Sequence, residues 1–169
     1  MLVRLGQHGD AENLSALAIQ VWLHTYATEG ISSTISAYVL SEFSPKRFGE
    51  LLSEASSVVL VAEVGKNLVG YATVTANTTC PVSTNAKVEL ATLYVQEHFI
   101  GKGVGSSLLE QAEQWAMQRP SSSIWLTVNS KNSRAIAFYT KHGYTKLGVT
   151  YFKLGNKSHE NLVLVGRNA

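Results

Sequence analysis

The chain has 169 residues, 45% of them hydrophobic and 15% charged, with a formal net charge of +2. That length and composition suit one domain over residues 1–169 with its own core, and lysines and arginines scattered singly argue against a nucleic-acid partner, whose phosphates call for basic runs. One cysteine, Cys80, excludes an internal disulfide, no Cys or His spacing reads as a zinc site, and no apolar run nears the ~20 residues of a membrane span, so the expectation is a soluble, unprocessed cytoplasmic protein without metal.

In chain order, "LVRL" reads as a short strand, and Asp10 as the cap of a helix whose Leu14, Leu17, Ala18, Val21 and Trp22 share one face. Helical regions follow from about Ile31 to Leu40 and from Pro45 to Glu54, where Pro45 suits a first-turn position. "SSVVLVAEVGKNLVGYATVTANT" is two β-branched runs around Gly65, Lys66 and Asn67, the chemistry of an antiparallel hairpin. "AKVELATLYV" is apolar on both parities, which predicts a central strand covered on both faces, with Glu89 as its odd residue. From Gly103 to about Gln118, Val104, Leu108, Leu109, Ala112, Trp115 and Ala116 repeat at helical spacing, Glu110, Glu113 and Gln114 face outward, and Pro120 stops the helix. "SIWLTV" is a strand, and "NSRAIAFYTKHGY" a helix capped by Asn132 or Ser133 and ended at Gly143, with Lys141 and His142 well placed in its last turn. Two strands, "TKLGVTYFKLG" and "ENLVLVGR", close the chain around the turn "NKSH", while "NTTCPVSTN" and "RPSSS" read as loops.

The informative stretch is "LYVQEHFIGKGVGSSLL", with Gly101, Gly103 and Gly105 between a strand and a helix. The first N–H groups of a helix lack intrahelical partners and attract an anion, and glycine lets the backbone approach it. A P-loop would need Gly-Lys-Ser/Thr at its end, but Lys102 sits between glycines. A dinucleotide fold would need G-x-G-x-x-G near the first strand and an acid ending the next, whereas "SIWLTVNS" ends in Asn129 and Ser130. A pyrophosphate on a flexible cofactor arm is a third option, beside the bland one that the glycines only make a tight turn.

This stretch, together with "LTVNSKNSRAIAFYTKHGY", resembles the two central motifs of the GNAT superfamily, the general N-acetyltransferases that use acetyl-CoA. The order of elements resembles that superfamily over nearly the whole chain, with "VWLHTYA" and "GVTYFKLGNKSHENLVLV" similar to bacterial polyamine-type members. The resemblance implies an α/β (α+β) acyl-CoA N-acyltransferase fold, a mixed, mostly antiparallel twisted sheet flanked by helices, with splayed central strands. It implies that backbone groups of Leu93, Tyr94 and Val95 meet the pantetheine, and that the N–H groups of Gly101, Lys102, Gly103, Val104, Gly105 and Ser106 cradle the pyrophosphate. Asn132 would bond the pantetheine arm and Tyr139 would sit by the cofactor sulfur. One departure stands out: Ile100 occupies a place where the family pattern has Arg or Gln.

Acetylating a primary amine requires its deprotonation, since its pKa lies near ~10. Glu89 is the candidate base, with a bland alternative as a structural or substrate-binding carboxylate, and Tyr139 is the candidate donor to the departing thiolate, with a bland alternative as a core aromatic. The Val95 N–H is the candidate partner of the oxyanion, and His24, Thr25 and Tyr26 are candidates for the acceptor pocket. The expected activity is direct transfer from acetyl-CoA to a small-molecule amine, polyamine-like as a first guess. A catalytically weak acyl-CoA-binding or sensing module, a protein N-terminus or lysine as acceptor, and homodimerisation stay open. Sequence does not place Glu29, Glu42 and Glu89 in one pocket.

Overall fold

The computed structural model describes residues 1–120 and 123–166. Ser121 and Ser122 of the "RPSSS" loop, and Arg167 of the last expected strand, lie outside the described residues. The architecture is mixed α/β, and the described residues form a seven-stranded sheet of Leu2–Leu5 (β1), Ser57–Val64 (β2), Asn67–Thr75 (β3), Val88–Val95 (β4), Ile124–Asn129 (β5), Thr145–Leu154 (β6) and Lys157–Val165 (β7), in the hydrogen-bonded order β1-β2-β3-β4-β5-β7-β6. By its contacts the chain forms two compact units, Met1–Val74 with Thr92–Ala112, and Thr75–Ala91 with Glu113–Ala169.

In the first unit, β1 (Leu2–Leu5) pairs antiparallel with β2 (Ser57–Val64) from Leu2↔Glu63 to Leu5↔Leu60. Asp10 precedes α1 (Ala11–Tyr26) but its side chain caps nothing there. A carboxylate caps a helix only when no stronger donor competes, and here the Arg4 guanidinium binds it at 2.8 and 3.0 Å while the Gln7 N–H donates at 2.8 Å. Arg4 also bonds Glu63 at 2.8 Å, so it ties the start of the chain to β2. The buried side of α1 is Leu14, Ser15, Leu17, Ala18 and Trp22, while Val21 is only half-buried.

Ser32 and Ser44 cap α2 (Ser33–Glu42) and α3 (Pro45–Leu52), accepting from Ile35 and Arg47 N–H at 3.3 Å, so α2 starts and ends two residues later than its expected span. Gly65 turns β2 into β3 (Asn67–Thr75) with φ of 66°, a conformation glycine adopts without strain. Gly70 in β3 is needed for a different reason: a Cβ there would lie 2.8 Å from the Tyr94 carbonyl oxygen and 3.1 Å from Val104.

Strand β4 (Val88–Val95) runs from the second unit into the first. It is not covered on both faces as expected: Val88 and Leu90 are buried, Ala91 is exposed, and Thr92 to Val95 are half-buried. Both parities are apolar, yet only one face of its first half is packed. The helix α4 (Val104–Met117) follows, with Val104, Leu108, Leu109, Ala112 and Ala116 buried. Trp115 is half-exposed under the Arg119 guanidinium.

In the second unit β5 (Ile124–Asn129) runs parallel to β4 through Val88↔Ile124 and Glu89↔Trp125, and pairs antiparallel with β7 (Lys157–Val165) from Trp125↔Val165 to Asn129↔Asn161. Between them come α5 (Ser133–Lys141) and β6 (Thr145–Leu154), which pairs antiparallel with β7. The β6–β7 turn lies at Gly155 and Asn156, ahead of the expected "NKSH", because Gly155 takes φ of 57° and frees Lys157, Ser158 and His159 to extend the strand. Glu113, expected outward, is half-buried and accepts from the Tyr144 hydroxyl at 3.1 Å.

Candidate active site

The glycine-rich segment leaves β4 through a single 3-10 turn, Glu97–Phe99, and reaches α4 through Gly101 and Gly103, at φ of 77° and 83°. A side chain at either position would meet open space, so what these positions demand of glycine is the backbone conformation alone. The Ser107 N–H donates to the Gly103 carbonyl at 3.0 Å, which places the N–H groups of Gly103, Val104 and Gly105 ahead of the first helical bond, where an anion is held best. Lys102 departs from the uniform cradle: its N–H turns back to the Phe99 carbonyl at 3.4 Å, while its ammonium lies 5.1 Å from the Phe99 ring centre. It offers this loop a surface cation more than a backbone donor. Ile100 is half-buried in extended backbone.

The strand that feeds the loop is fixed at its end, since the Gln96 N–H donates to the Val69 carbonyl at 2.9 Å and the Gln96 side chain bonds Gln20 at 2.9 Å. Leu93, Tyr94 and Val95 lie further along β4 than the Val88↔Ile124 and Glu89↔Trp125 pairs with β5.

In the second unit, Glu89 is half-buried on β4, and desolvation pushes its carboxyl above the ordinary range, toward a working pH. Asn132 caps α5, its side-chain oxygen accepting from the Ala135 N–H at 3.1 Å. Tyr139 is 8% exposed, with its ring 5.2 Å from Phe138 and 5.7 Å from Tyr144. It is thus a packed aromatic whatever else it does. The Tyr144 hydroxyl is kept protonated by burial first and by Glu113 second.

Of the acceptor candidates, Thr25 spends its hydroxyl on the Val21 carbonyl at 2.8 Å, as helical threonines do, and His24 lies 3.4 Å from Glu97. Tyr26 packs on Trp22 with ring centres 5.1 Å apart, and there begins an array that sequence reading missed. Rings follow one another from Trp22 to Tyr38 (5.1 Å), Phe43 (6.0 Å), Tyr94 (6.3 Å), Tyr71 (5.6 Å) and Phe48 (5.7 Å). These separations suit tilted and edge-to-face aromatic pairs, worth about 0.5–1.5 kcal/mol each beyond burial. The array runs from Tyr71, 1% exposed, to Tyr26, 39% exposed, and includes the residue next to Val95. Among the described residues no group of three or more His, Cys, Asp or Glu could hold a metal, and no helix is long and apolar enough to cross a membrane.

A strand, a left-handed glycine turn and an open helix N-terminus within a mixed sheet make a site suited to an anion. The family described as the acetyltransferase (GNAT) family matches residues 20–144, well over half of the chain, and the chain belongs to it. It is by class an acetyl-CoA-dependent N-acetyltransferase. An uncharacterized N-acetyltransferase of Mycobacterium tuberculosis is 29% identical over 92% of this chain and 96% of its own length. A spermidine N(1)-acetyltransferase of Thermoplasma acidophilum is 26% identical over 80% of this chain and 82% of its own. Among solved structures, the PaiA N-acetyltransferase of Thermoplasma acidophilum in complex with coenzyme A superposes with a TM-score of 0.77 at 21% identity, covering 99% of this chain and 100% of that one. The fold is therefore shared throughout.

Proposed function

We propose that residues 1–169 act as a single cytoplasmic N-acetyltransferase domain that moves the acetyl group of acetyl-CoA to a primary amine of a small molecule by direct attack. The observation that carries this reading is the loop at the start of α4, where Gly101 and Gly103 take left-handed backbone and the first helical N–H groups precede any helical bond. The N–H groups of Gly101, Gly103, Val104, Gly105 and Ser106 would hold the pyrophosphate, with the Lys102 ammonium beside them, and backbone groups of Leu93, Tyr94 and Val95 with the Asn132 amide would hold the pantetheine. Acetyl-CoA supplies the activated acetyl group. Glu89 takes the proton of the incoming ammonium, aided by its raised pKa. The Val95 N–H meets the charge developing on the thioester oxygen, and the Tyr139 hydroxyl donates toward the departing sulfur. A polyamine acceptor, the first choice from sequence, draws support from the likeness to the spermidine acetyltransferase.

A second reading, an acyl-CoA-binding module with little turnover, is favoured by the burial of Tyr139 and by Ile100 at the family's Arg or Gln place. Thermal unfolding alone and with acetyl-CoA, CoA, ATP or NAD tests the loop first. A ligand at a hundred times its Kd stabilises by about 2.7 kcal/mol, which for this length raises Tm by roughly 5–10 °C. A rise with acetyl-CoA and CoA alone supports the loop's assignment, and release of free CoA on adding an amine then separates enzyme from module. No rise with either cofactor would sink both.

A further inference from the structure

In the second unit the stretch "YTKHGY", Tyr139 to Tyr144, ends α5 and brings its two tyrosines together. Gly143 takes φ of 84°, which stops the helix and turns the next residue back along it. The Tyr144 N–H then donates to the Tyr139 carbonyl and the Gly143 N–H to that of Thr140, both at 3.0 Å. In a helix stop of this kind the side chains of the outer pair meet, and here the rings of Tyr139 and Tyr144 lie 5.7 Å apart. A phenylalanine at 144 would satisfy this much.

The hydroxyl of Tyr144 is what the helix stop does not call for. Tyr144 is 2% exposed, so an unmet phenol would be costly, and it donates to a Glu113 carboxylate oxygen at 3.1 Å. Glu113 stands near the end of α4, 31 positions earlier in the chain, so the bond joins two helices. Gly166, just beyond β7, leaves room for the same ring: a Cβ there would lie 3.1 Å from its Cζ and 3.4 Å from its hydroxyl. Burial first and Glu113 second keep the phenol protonated, so it stays a donor.

We propose that Glu113, acting through the Tyr144 hydroxyl, is a positioning residue that holds the ring of Tyr139 in place for the transfer step. This rests on the reading of Tyr139 as the donor to the departing sulfur. Phe138, whose ring lies 5.2 Å from that of Tyr139, stands on the same helix, so Tyr144 is the contact that ties the Tyr139 ring to α4. Proton donation works only within narrow limits of distance and angle, and a neighbour anchored at both its backbone and its hydroxyl sets those limits. Were the bond no more than a partner for a buried phenol, its loss would lower Tm and leave Tyr139 where it is.

The test follows the full chain with ring-labelled tyrosine by NMR, the Tyr139 resonances being those missing from Tyr139→Phe. Glu113→Ala removes the acceptor, Glu113→Gln keeps one, and Tyr144→Phe removes the donor while keeping the ring. Glu113→Ala and Tyr144→Phe should move or broaden the Tyr139 resonances, Glu113→Gln should restore them, and acetyl-CoA should still raise Tm in each. In CoA release with acetyl-CoA and spermidine, the first two variants should lower kcat about tenfold at unchanged KM for acetyl-CoA, as a small misplacement of a reacting group does. In a Tyr139→Phe background Glu113→Ala should lower kcat no further, since both act through one hydroxyl. Tyr139 resonances that stay put in Glu113→Ala, or full kcat in that variant beside a slow Tyr139→Phe, would overturn the inference and leave the role of Tyr139 standing. A Tyr139→Phe variant as fast as the unaltered protein would remove that role, and the inference with it. If spermidine is not turned over, the resonances alone decide whether Glu113 holds the ring.

Discussion

The loop from Gly101 to Ser106 and the segment from Thr25 to Ser41 are built in opposite ways. The loop is a matter of backbone: two left-handed glycines, at which a side chain would meet open space, lead into a helix start and its N–H groups. The segment works with side chains: its rings meet Trp22 before it and Phe43 after it, and Phe43 in turn reaches Tyr94, about fifty positions on. A backbone site is tuned to what every acyl-CoA shares, while a ring surface can be altered residue by residue without disturbing the sheet.

The largest effect belongs to proton transfer. Glu89→Gln should lower kcat by about 10²–10⁴-fold, the usual contribution of a general base, while the Tm rise with acetyl-CoA persists. Because burial raises the Glu89 pKa and the ionised form is the one that accepts a proton, the rate of the unaltered protein should climb with pH above the ordinary carboxylate range, and the Glu89→Gln variant should lack that limb. Tyr139→Phe should lower kcat with the fold intact, because the ring that packs on Phe138 and Tyr144 is retained. Unchanged turnover in that variant would reduce Tyr139 to a core aromatic. These variants separate chemistry from cofactor capture.

A smaller effect tests the backbone half of the contrast. Gly103→Val forces a β-branched residue into left-handed backbone, a strain of about 1–3 kcal/mol, so acetyl-CoA affinity measured by calorimetry should fall by roughly 5–150-fold. Gly65→Val carries the same kind of strain in the hairpin between β2 and β3 and should lower Tm alone. If both variants bound acetyl-CoA equally, the loop's conformation would have no part in the cofactor site.

What was legible in the sequence follows from the range of the interactions. The hairpin at Gly65, the choice of Asn132 over Ser133 as cap, the left-handed turn at Gly101 and Gly103 and all of α4's expected stripe but Trp115 are decided within a few residues, and the structure forms them. Asp10 reads as a cap locally, but it was taken by Arg4, which Glu63, more than fifty positions further on, also holds. The apolar pattern of β4 does not reveal which face stays open, because that depends on what packs against it. The aromatic array is invisible for the same reason: no spacing announces that residues 43 and 94 meet, and the clearest hint was negative, a long stretch almost without charge.

Ile100 carries the smallest effect and the finest test. It stands where the family pattern has Arg or Gln, one residue ahead of the first left-handed glycine, so Ile100→Arg would add a cation beside donors that are mainly backbone. An exposed ion pair contributes about 0.2–1 kcal/mol, so affinity for acetyl-CoA should rise by up to about fivefold at low salt. The gain should shrink as salt is raised toward molar, where screening extends over only about 3 Å. Unchanged affinity at low salt would mean that the backbone of this loop already meets the whole demand of the pyrophosphate, and that Ile100 costs the protein nothing.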